Sequence, residues 1–450
     1  MSAPEGAAPP VGPAYPPGSF NAHWFNFFNA VSFQIMMGAP IILYVKSLGA
    51  SSTVLGVVAA FTPLMTVFQL PAARFLDRYG YREFVLMGWG LRTVLIFVVA
   101  AVPLMMFLDD LSKLAVLLAI LFVFNLLRGI SSAAWMPWIA ALIPEERRGR
   151  FLSLDQLFMH AGCLLALLAS ALLMAGRVDP WEYATVFFLS ALGGAASLLF
   201  IKRIPEVACT EAARKGSANV PWRAMLGYVP FRRLIGFNLV FMAVVGSLGV
   251  FTVEFLREEM HAGVSEVLLL SGFSFVGALL SLPVFGSVVD RTGSKPVMRV
   301  AIAIFAACIA LWFLLASGVV PFQFAIVAGL NFAAGIASAG FNLANVRIAM
   351  ATMPEMGRNH FFALFTVITS LGLGAAPVLW GVGLDVIGPF EAVTGLFTWK
   401  RHSFYFLALF LLDLVALAAA GLLMEAPAGG RIEPNLVYAR LKRAPRIWQR

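Results

Sequence analysis

Twelve apolar runs limit what this chain can fold into, falling at about residues 20–44, 52–74, 83–107, 114–142, 151–175, 182–202, 233–256, 264–287, 296–316, 320–347, 360–387 and 403–424. Most exceed 18 residues, and ~20 residues of helix cross a hydrocarbon core ~30 Å thick. With no water to bond its peptide groups, a spanning segment has to be a helix or part of a closed barrel. A barrel would alternate apolar and polar residues in ~10-residue segments, and these runs do not. Hydrophobic residues make up 60% of the chain and charged residues 12%, against about a quarter charged in soluble domains. The expected fold class is an all-α polytopic membrane protein with 12 transmembrane helices.

The chain is also internally repeated. Asp77-Arg78-Tyr79-Gly80-Tyr81-Arg82 returns as Asp290-Arg291-Thr292-Gly293-Ser294-Lys295, both reading Asp-Arg-x-Gly-x-basic, at an offset of 213 residues. Asn125, Gly129, Ile130, Ser132 and Ala133 return as Asn331, Gly335, Ile336, Ser338 and Ala339 at an offset of 206. Pro144, Glu145, Arg148 and Phe151 return as Pro354, Glu355, Arg358 and Phe361 at an offset of 210. Small drift with preserved order is the signature of two homologous halves with loop insertions.

Lys and Arg are retained on the cytoplasmic side of short loops. Of 32 such residues, 24 fall in alternate loops and the C-terminal tail, 6 in the other loops, and Arg92 and Arg128 within spans. Both termini are therefore expected in the cytoplasm, and the net charge of +9 reflects topology rather than nucleic-acid binding. The first 18 residues hold six prolines and no Lys or Arg, a disordered tail rather than a signal peptide. The basic end, Arg440 to Arg446, is expected against anionic lipid headgroups. Cys163, Cys209 and Cys308 offer neither a disulfide framework nor zinc spacing, so no metal and no cofactor is expected. The chain has no Gly-x-x-x-x-Gly-Lys-Ser/Thr loop for ATP and no His-Glu-x-x-His.

Two six-helix units with Asp-Arg-x-Gly-x-basic after their second spans resemble the major facilitator superfamily of secondary transporters, over residues 20–424. The resemblance implies two pseudo-symmetric six-helix bundles. The expected division is 1–18 Pro-rich cytoplasmic tail, 19–203 N-terminal bundle, 204–231 cytoplasmic loop, 232–424 C-terminal bundle and 425–450 basic tail. It implies that Asp77, Arg78, Gly80 and Arg82, with Asp290, Arg291, Gly293 and Lys295, form a gating motif. Asp77 would face the start of the eleventh helix, and Arg78 the acidic end of the fourth at Glu145 or Glu146. The family pattern opens with Gly four residues before the Asp; Gly286 keeps it and Ala73 does not, so looser packing is expected there. A carboxylate is favoured at a helix N-terminus, and ion pairs made in one state only bias a two-state equilibrium.

The resemblance implies that the first, fourth, seventh and tenth helices line a central cavity. At roughly 100° per residue, Asn125, Arg128, Ser131, Ser132 and Trp135 share an arc of about 120° on span four. Asn331, Ser338, Asn342 and Asn345 share about 60° on span ten by the same geometry. His23, Asn26, Asn29 and Gln34 make a broader stripe on span one. Polar stripes facing lipid are expensive, so these face protein or water, and the substrate-binding candidates are Arg128, Asn125, Asn331, Asn342, Asn29 and Trp135. The Arg128 guanidinium needs a carboxylate, a carbonyl or an anionic substrate, and Asp155 would be its partner were the pair permanent. Asp413 and Glu254 are the acids placed to couple transport to an ion, although Arg257 beside Glu254 suggests a loop ion pair.

The expected function is a secondary active transporter of a small polar, anionic organic solute by alternating access, not an enzyme. It would be coupled to a proton or sodium ion and work as a monomer in the cell membrane, with lipid as its other partner. The alternative is an exporter or flippase-like transporter of amphipathic compounds, suggested by 40 phenylalanines. A transporter-like receptor is the reading from another class.

Overall fold

The structure, a computed structural model, describes residues 15–176, 178–207, 222–352 and 358–423. Twelve helices among these are long and apolar enough to cross a membrane: α1 Asn21–Ser47, α2 Ser52–Phe75, α3 Tyr81–Leu104, α4 Asp110–Leu142, α5 Arg147–Leu173, α6 Pro180–Ile201, α7 Val229–Glu258, α8 Val264–Gly286, α9 Ser294–Ala316, α10 Phe324–Thr352, α11 Phe361–Ile387 and α12 Arg401–Ala420. They match the twelve apolar runs. The tail 1–14, the loop stretch 208–221, Pro354, Glu355 and the basic tail lie outside the described residues, as do the side chains of Asp77, Asp290, Glu145 and Glu146. The end of the molecule opposite residues 15 and 423 is called the distal end below.

Helix breaks follow proline. The ring clashes with the carbonyl four residues earlier and supplies no N–H. Thus α1 is interrupted at Gly38, whose ψ of −156° is extended, just before Pro40. In α4 the helix stops at Ser131 and restarts at Trp135, so that Ala133, four residues before Pro137, lies in the turn. Near Pro71, α2 tightens to a 3-10 turn over Thr66–Phe68. Between α11 and α12 a hairpin intrudes that periodicity did not reveal, β1 Glu391–Thr394 paired antiparallel with β2 Phe397–Lys400.

The packing repeats as the sequence does. In the first bundle α1 packs on α5 and α6, α3 on α4 and α6, and α2 on α4. In the second, α7 packs on α11 and α12, α9 on α10 and α12, and α8 on α10, which is the same plan shifted by six helices. The bundles meet through α2 against α11 and α5 against α8. Gly80 and Gly293 both take positive φ, +73° and +86°, a region that favours glycine. Gly129 and Gly335 each let two helices touch: a Cβ would lie 2.1 Å from the Met65 carbonyl oxygen and 1.9 Å from that of Ser274.

The last residue of each motif copy fastens its bundle. Arg82 Nε lies 3.2 Å from Glu206 Oε2, just beyond α6. Lys295 Nζ donates to the carbonyls of Gly421 and Leu423, just beyond α12, at 2.7 and 2.9 Å. Each bond ties the start of one helix to the end of another in the same bundle. Arg78 and Arg291 are exposed, and Arg78 lies over the neighbouring Tyr79 ring.

Replacing Gly335 by Ala should lower the melting temperature of the purified protein by a few degrees, from overpacking worth ~1–3 kcal/mol. Gly329→Ala, where a Cβ meets nothing within 4 Å, should leave it unchanged; equal effects would rule out the close contact.

Candidate functional site

A cavity of about 410 Å³ lies between the bundles, walled by the middle of α1, by α2, α7, α8 and α11, and by Asn331 of α10. The break in α1 is part of the wall, since Gly38 lines it with Phe33, Gln34 and Met37. Irregular backbone at membrane depth is tolerated where it borders a cavity. Thr62 of α2, Thr252 of α7, and Ser271 and Ser274 of α8 add hydroxyls.

Of the residues singled out from the sequence, Asn331 lines this cavity, and its amide donates to the Val327 carbonyl at 3.0 Å. Its repeat partner Asn125 sits one layer behind. It accepts from Thr62 Oγ1 at 2.8 Å and donates to the Leu121 carbonyl and to Met37 Sδ, so it holds two wall residues in place. Arg128 is likewise behind the wall, its guanidinium 4.6 Å from the centre of the Phe33 ring. Asn29 accepts from Trp89 Nε1 at 3.0 Å and from Arg92 Nη2. Asn342 is exposed, 3.4 Å from Ser338 Oγ. Trp135 packs on Phe25 and Trp138 in a small apolar cluster of the first bundle and does not reach the cavity.

Charge inside the first bundle is unevenly compensated. Asp155 does not partner Arg128; its carboxylate lies 3.2 Å from His23 Nδ1 and accepts from Asn26 at 2.9 Å. The His23 ring packs 4.2 Å from Phe151 and 5.5 Å from Phe158, so the pair is sealed between α1 and α5. Arg92 of α3 is buried inside the bundle. It is 0% exposed, with Nε and Nη1 unbonded among the described residues and the guanidinium over Trp89 and Phe124. Among the described residues neither Arg92 nor Arg128 makes an ion pair. In the second bundle Asp413 of α12 is 0% exposed, with both carboxylate oxygens unbonded among the described residues. Asn238 and Asn345 bond each other reciprocally, at 3.2 and 2.8 Å, and join α7 to α10.

Glu254 belongs to a different assembly, at the distal end. Its Oε1 accepts from Lys46 Nζ at 3.1 Å, Ser52 Oγ at 2.6 Å and Arg401 Nη2 at 3.4 Å, while Arg257 donates elsewhere, to the Ala262 carbonyl. The loop pair expected from the Arg257 spacing is thus replaced by a network across the bundles. Lys46 also reaches Glu258 at 2.5 Å, Arg401 bonds Glu258, and His402 bonds Glu259. Beside it, Asp385 at the end of α11 accepts from the backbone N–H groups of Ser52 and Thr53 at 3.0 and 2.8 Å. A carboxylate at a helix N-terminus satisfies orphan donors and the helix dipole together. On the α5–α8 side Ser265 Oγ donates to the Ala171 carbonyl at 2.7 Å. These bonds latch the two bundles together at the distal end.

Sequence reasoning missed the cavity roles of α2, α8 and α11. Thr62, Ser271 and Ser274, hydroxyls on otherwise apolar spans, were the available signal.

The sequence profile described as Major Facilitator Superfamily matches residues 23–256 and again 234–448. Comparison with curated protein sequences finds no match. Among solved structures, a single-residue variant of the nucleoside transporter NupG superposes with a TM-score of 0.70 at 13% identity, covering 91% of this chain and 100% of that one. A D-xylose-proton symporter superposes with a TM-score of 0.69 at 14% identity, covering 90% and 97%. The inward open xylose transporter XylE from E. coli gives 0.66 at 16% identity, covering 93% and 98%. These similarities show the shared fold.

Asp385→Asn should loosen the latch. A hydrogen bond to a charged group contributes ~1.5–3 kcal/mol, so the ratio of distally closed to distally open molecules should fall roughly tenfold to a hundredfold. Spin labels at Asp109 and His261, on distal loops of opposite bundles, should then show a larger share of long distances. An unchanged distribution would mean that Asp385 does not hold the end shut.

Proposed function

The chain belongs to the Major Facilitator Superfamily, whose profile matches both halves, and from that premise we propose that it carries a small polar, anionic organic solute across the membrane by alternating access. The supporting observation is a pair of guanidiniums, the buried Arg92 and the half-buried Arg128, without an ion-pair partner among the described residues, with Arg128 resting on the Phe33 ring that faces the cavity. Aromatic faces offset part of such a charge, and an anion would supply the rest. A rotation of Phe33 opens Arg128 to the cavity, where Asn331, Gln34 and Thr62 offer hydrogen bonds.

We assign the termini to the cytoplasm, because 24 of 32 Lys and Arg residues lie on that side. The latch then closes the outer face, and loading or release takes place from the cytoplasm. The bundles would span residues 19–203 and 232–424, rocking as rigid units about the cavity. Coupling to a proton is assigned to Asp413, whose carboxylate, buried and without a hydrogen bond among the described residues, is costly when charged. Glu254 is instead part of the latch. A second reading, an amphipathic compound, is favoured by the apolar share of the wall, including Met37, Ile42, Val250, Phe275 and Leu373.

Ligand-induced thermal stabilisation separates the two. Carboxylate ligands should stabilise the wild type and bind about 10- to 100-fold more weakly to Arg128→Ala, the equivalent of ~1.5–3 kcal/mol, with partial recovery in Arg128→Lys. Uncharged amphiphiles that bind both forms equally would replace the anionic reading with the amphipathic one.

Coupling is tested in proteoliposomes. Accumulation of such a solute should follow an imposed pH gradient, and Asp413→Asn should abolish that accumulation while leaving exchange of labelled for unlabelled solute intact. Flux indifferent to the pH gradient in the wild type would remove the proton.

A further inference from the structure

A second cavity, of about 440 Å³, lies at the distal end. One bundle supplies Tyr44 at the end of α1, Pro103, Asp110 and Lys113 in the first turn of α4, and Tyr183 in α6; the other supplies Arg257, Gly263 and Val264. None of these groups touches the central cavity.

Two polar side chains here lack a hydrogen bond among the described residues. Tyr44 is 3% exposed, and its hydroxyl has no hydrogen bond among the described residues. Lys113 is 9% exposed, and the carboxylate found near its ammonium, that of Asp110, is 4.0 Å away, beyond hydrogen-bond reach. An ammonium and a hydroxyl both donate, so what completes them is an acceptor, and a charged one for the lysine. Buried donors left unmade are costly, so their presence in a roomy cavity points to a ligand. Among the described residues of the wall, Lys113 and Arg257 against Asp110 leave one net positive charge, which suits a monoanion. The first turns of α4, α6 and α8 also line the cavity, and helix N-termini favour negative charge. Pro103, Val178 and Val264 add an apolar side.

We propose that this cavity is a second binding site, for a small monoanion with a carboxylate or phosphate-ester group and a short apolar body, held by Lys113 and Tyr44. Because Arg257, Gly263 and Val264 come from the other bundle, an occupant held by Lys113 and Tyr44 meets the complete wall only while the distal end is closed, and so stabilises the closed state. A dissolved organic anion and the headgroup of an anionic lipid share this chemistry.

Thermal stability with added benzoate, in detergent free of lipid, tests the first source; nanodiscs of phosphatidylglycerol against phosphatidylcholine test the second. Lys113→Gln and Tyr44→Phe each remove a donor without adding bulk, and Arg128→Ala reports on the central cavity. Tyr44→Phe should not lower the melting temperature in the absence of anion, since its hydroxyl has no hydrogen bond to lose among the described residues, and Lys113→Gln should change it little, since its ammonium is 4.0 Å from the exposed Asp110 carboxylate. In the Arg128→Ala background, where central binding is weakened, benzoate should still stabilise the protein, at least tenfold more weakly once Lys113→Gln is added and several-fold more weakly once Tyr44→Phe is added. A Lys113-dependent stabilisation by phosphatidylglycerol alone would keep the site and make the lipid its ligand. No stabilisation from either source, or one lost in Arg128→Ala and kept in Lys113→Gln, overturns the proposal.

Discussion

Glu254 is 1% exposed on α7, and its carboxylate can stay charged there because Lys46 and Ser52 reach it from the other bundle while Arg401 reaches it from its own. Taking an ion out of water costs several kcal/mol unless partners surround it. Two of these three partners belong to the bundle that must move away when the distal end opens. The amide groups at the start of α2 are in the same position, since the Asp385 carboxylate that satisfies them is on α11. The arrangement of the two bundles is therefore set by a small polar assembly at one end rather than by the long apolar seams of α2 with α11 and α5 with α8, which can slide or part with less penalty. Polar bonds present in one state and absent from the other are what make such a transition discrete.

The same rule, applied to the interior, distinguishes structure from site. Asp155 has His23 and Asn26, and the three hold α1 to α5 permanently. Because Asp155 is committed there, Arg128 is left with the face of Phe33, and Arg92 with Asn29 and two aromatic rings. A ring face is a weak substitute for a carboxylate. Two cations held this way within one bundle form a positive region that a ligand can neutralise and that no internal acid has claimed among the described residues.

The helices were legible because lipid enforces a simple code: ~20 apolar residues, then charge. The repeat was legible because glycine at a positive φ and at a helix contact is hard to replace, so Gly80 with Gly293 and Gly129 with Gly335 stand at matching places. The break at Gly38 was hidden, since Gly-Ala-Pro passes as part of an apolar run. Pairings were hidden more thoroughly. Lys46 meets Glu254 and Ser52 meets Asp385 across 208 and 333 residues of chain, and nothing local in the sequence announces either. On span four Asn125 and Ser131 are buried, and Arg128, Ser132 and Trp135 half-buried. Helical spacing alone did not show that Asn125 and Arg128 stand behind Met37, Thr62 and Phe33 instead of in the cavity itself.

Where the two halves match, they do mechanical work: the same helix contacts, the same motif turn, and Arg82 and Lys295 each tying one helix start to a helix end. Where they differ, chemistry appears. Arg128 has Ala334 as its repeat counterpart, α1 is broken at Gly38 while α7 runs unbroken from Val229 to Glu258, and in the second half the Asp413 carboxylate has no hydrogen bond among the described residues. A symmetric pair of bundles would bind a charged solute equally on both walls and would have no reason to respond to one ion. On the proposed reading, positive charge without an ion-pair partner among the described residues in one bundle, and a carboxylate without a hydrogen bond among them in the other, would let solute and proton each bias the same rocking motion without competing for a single residue.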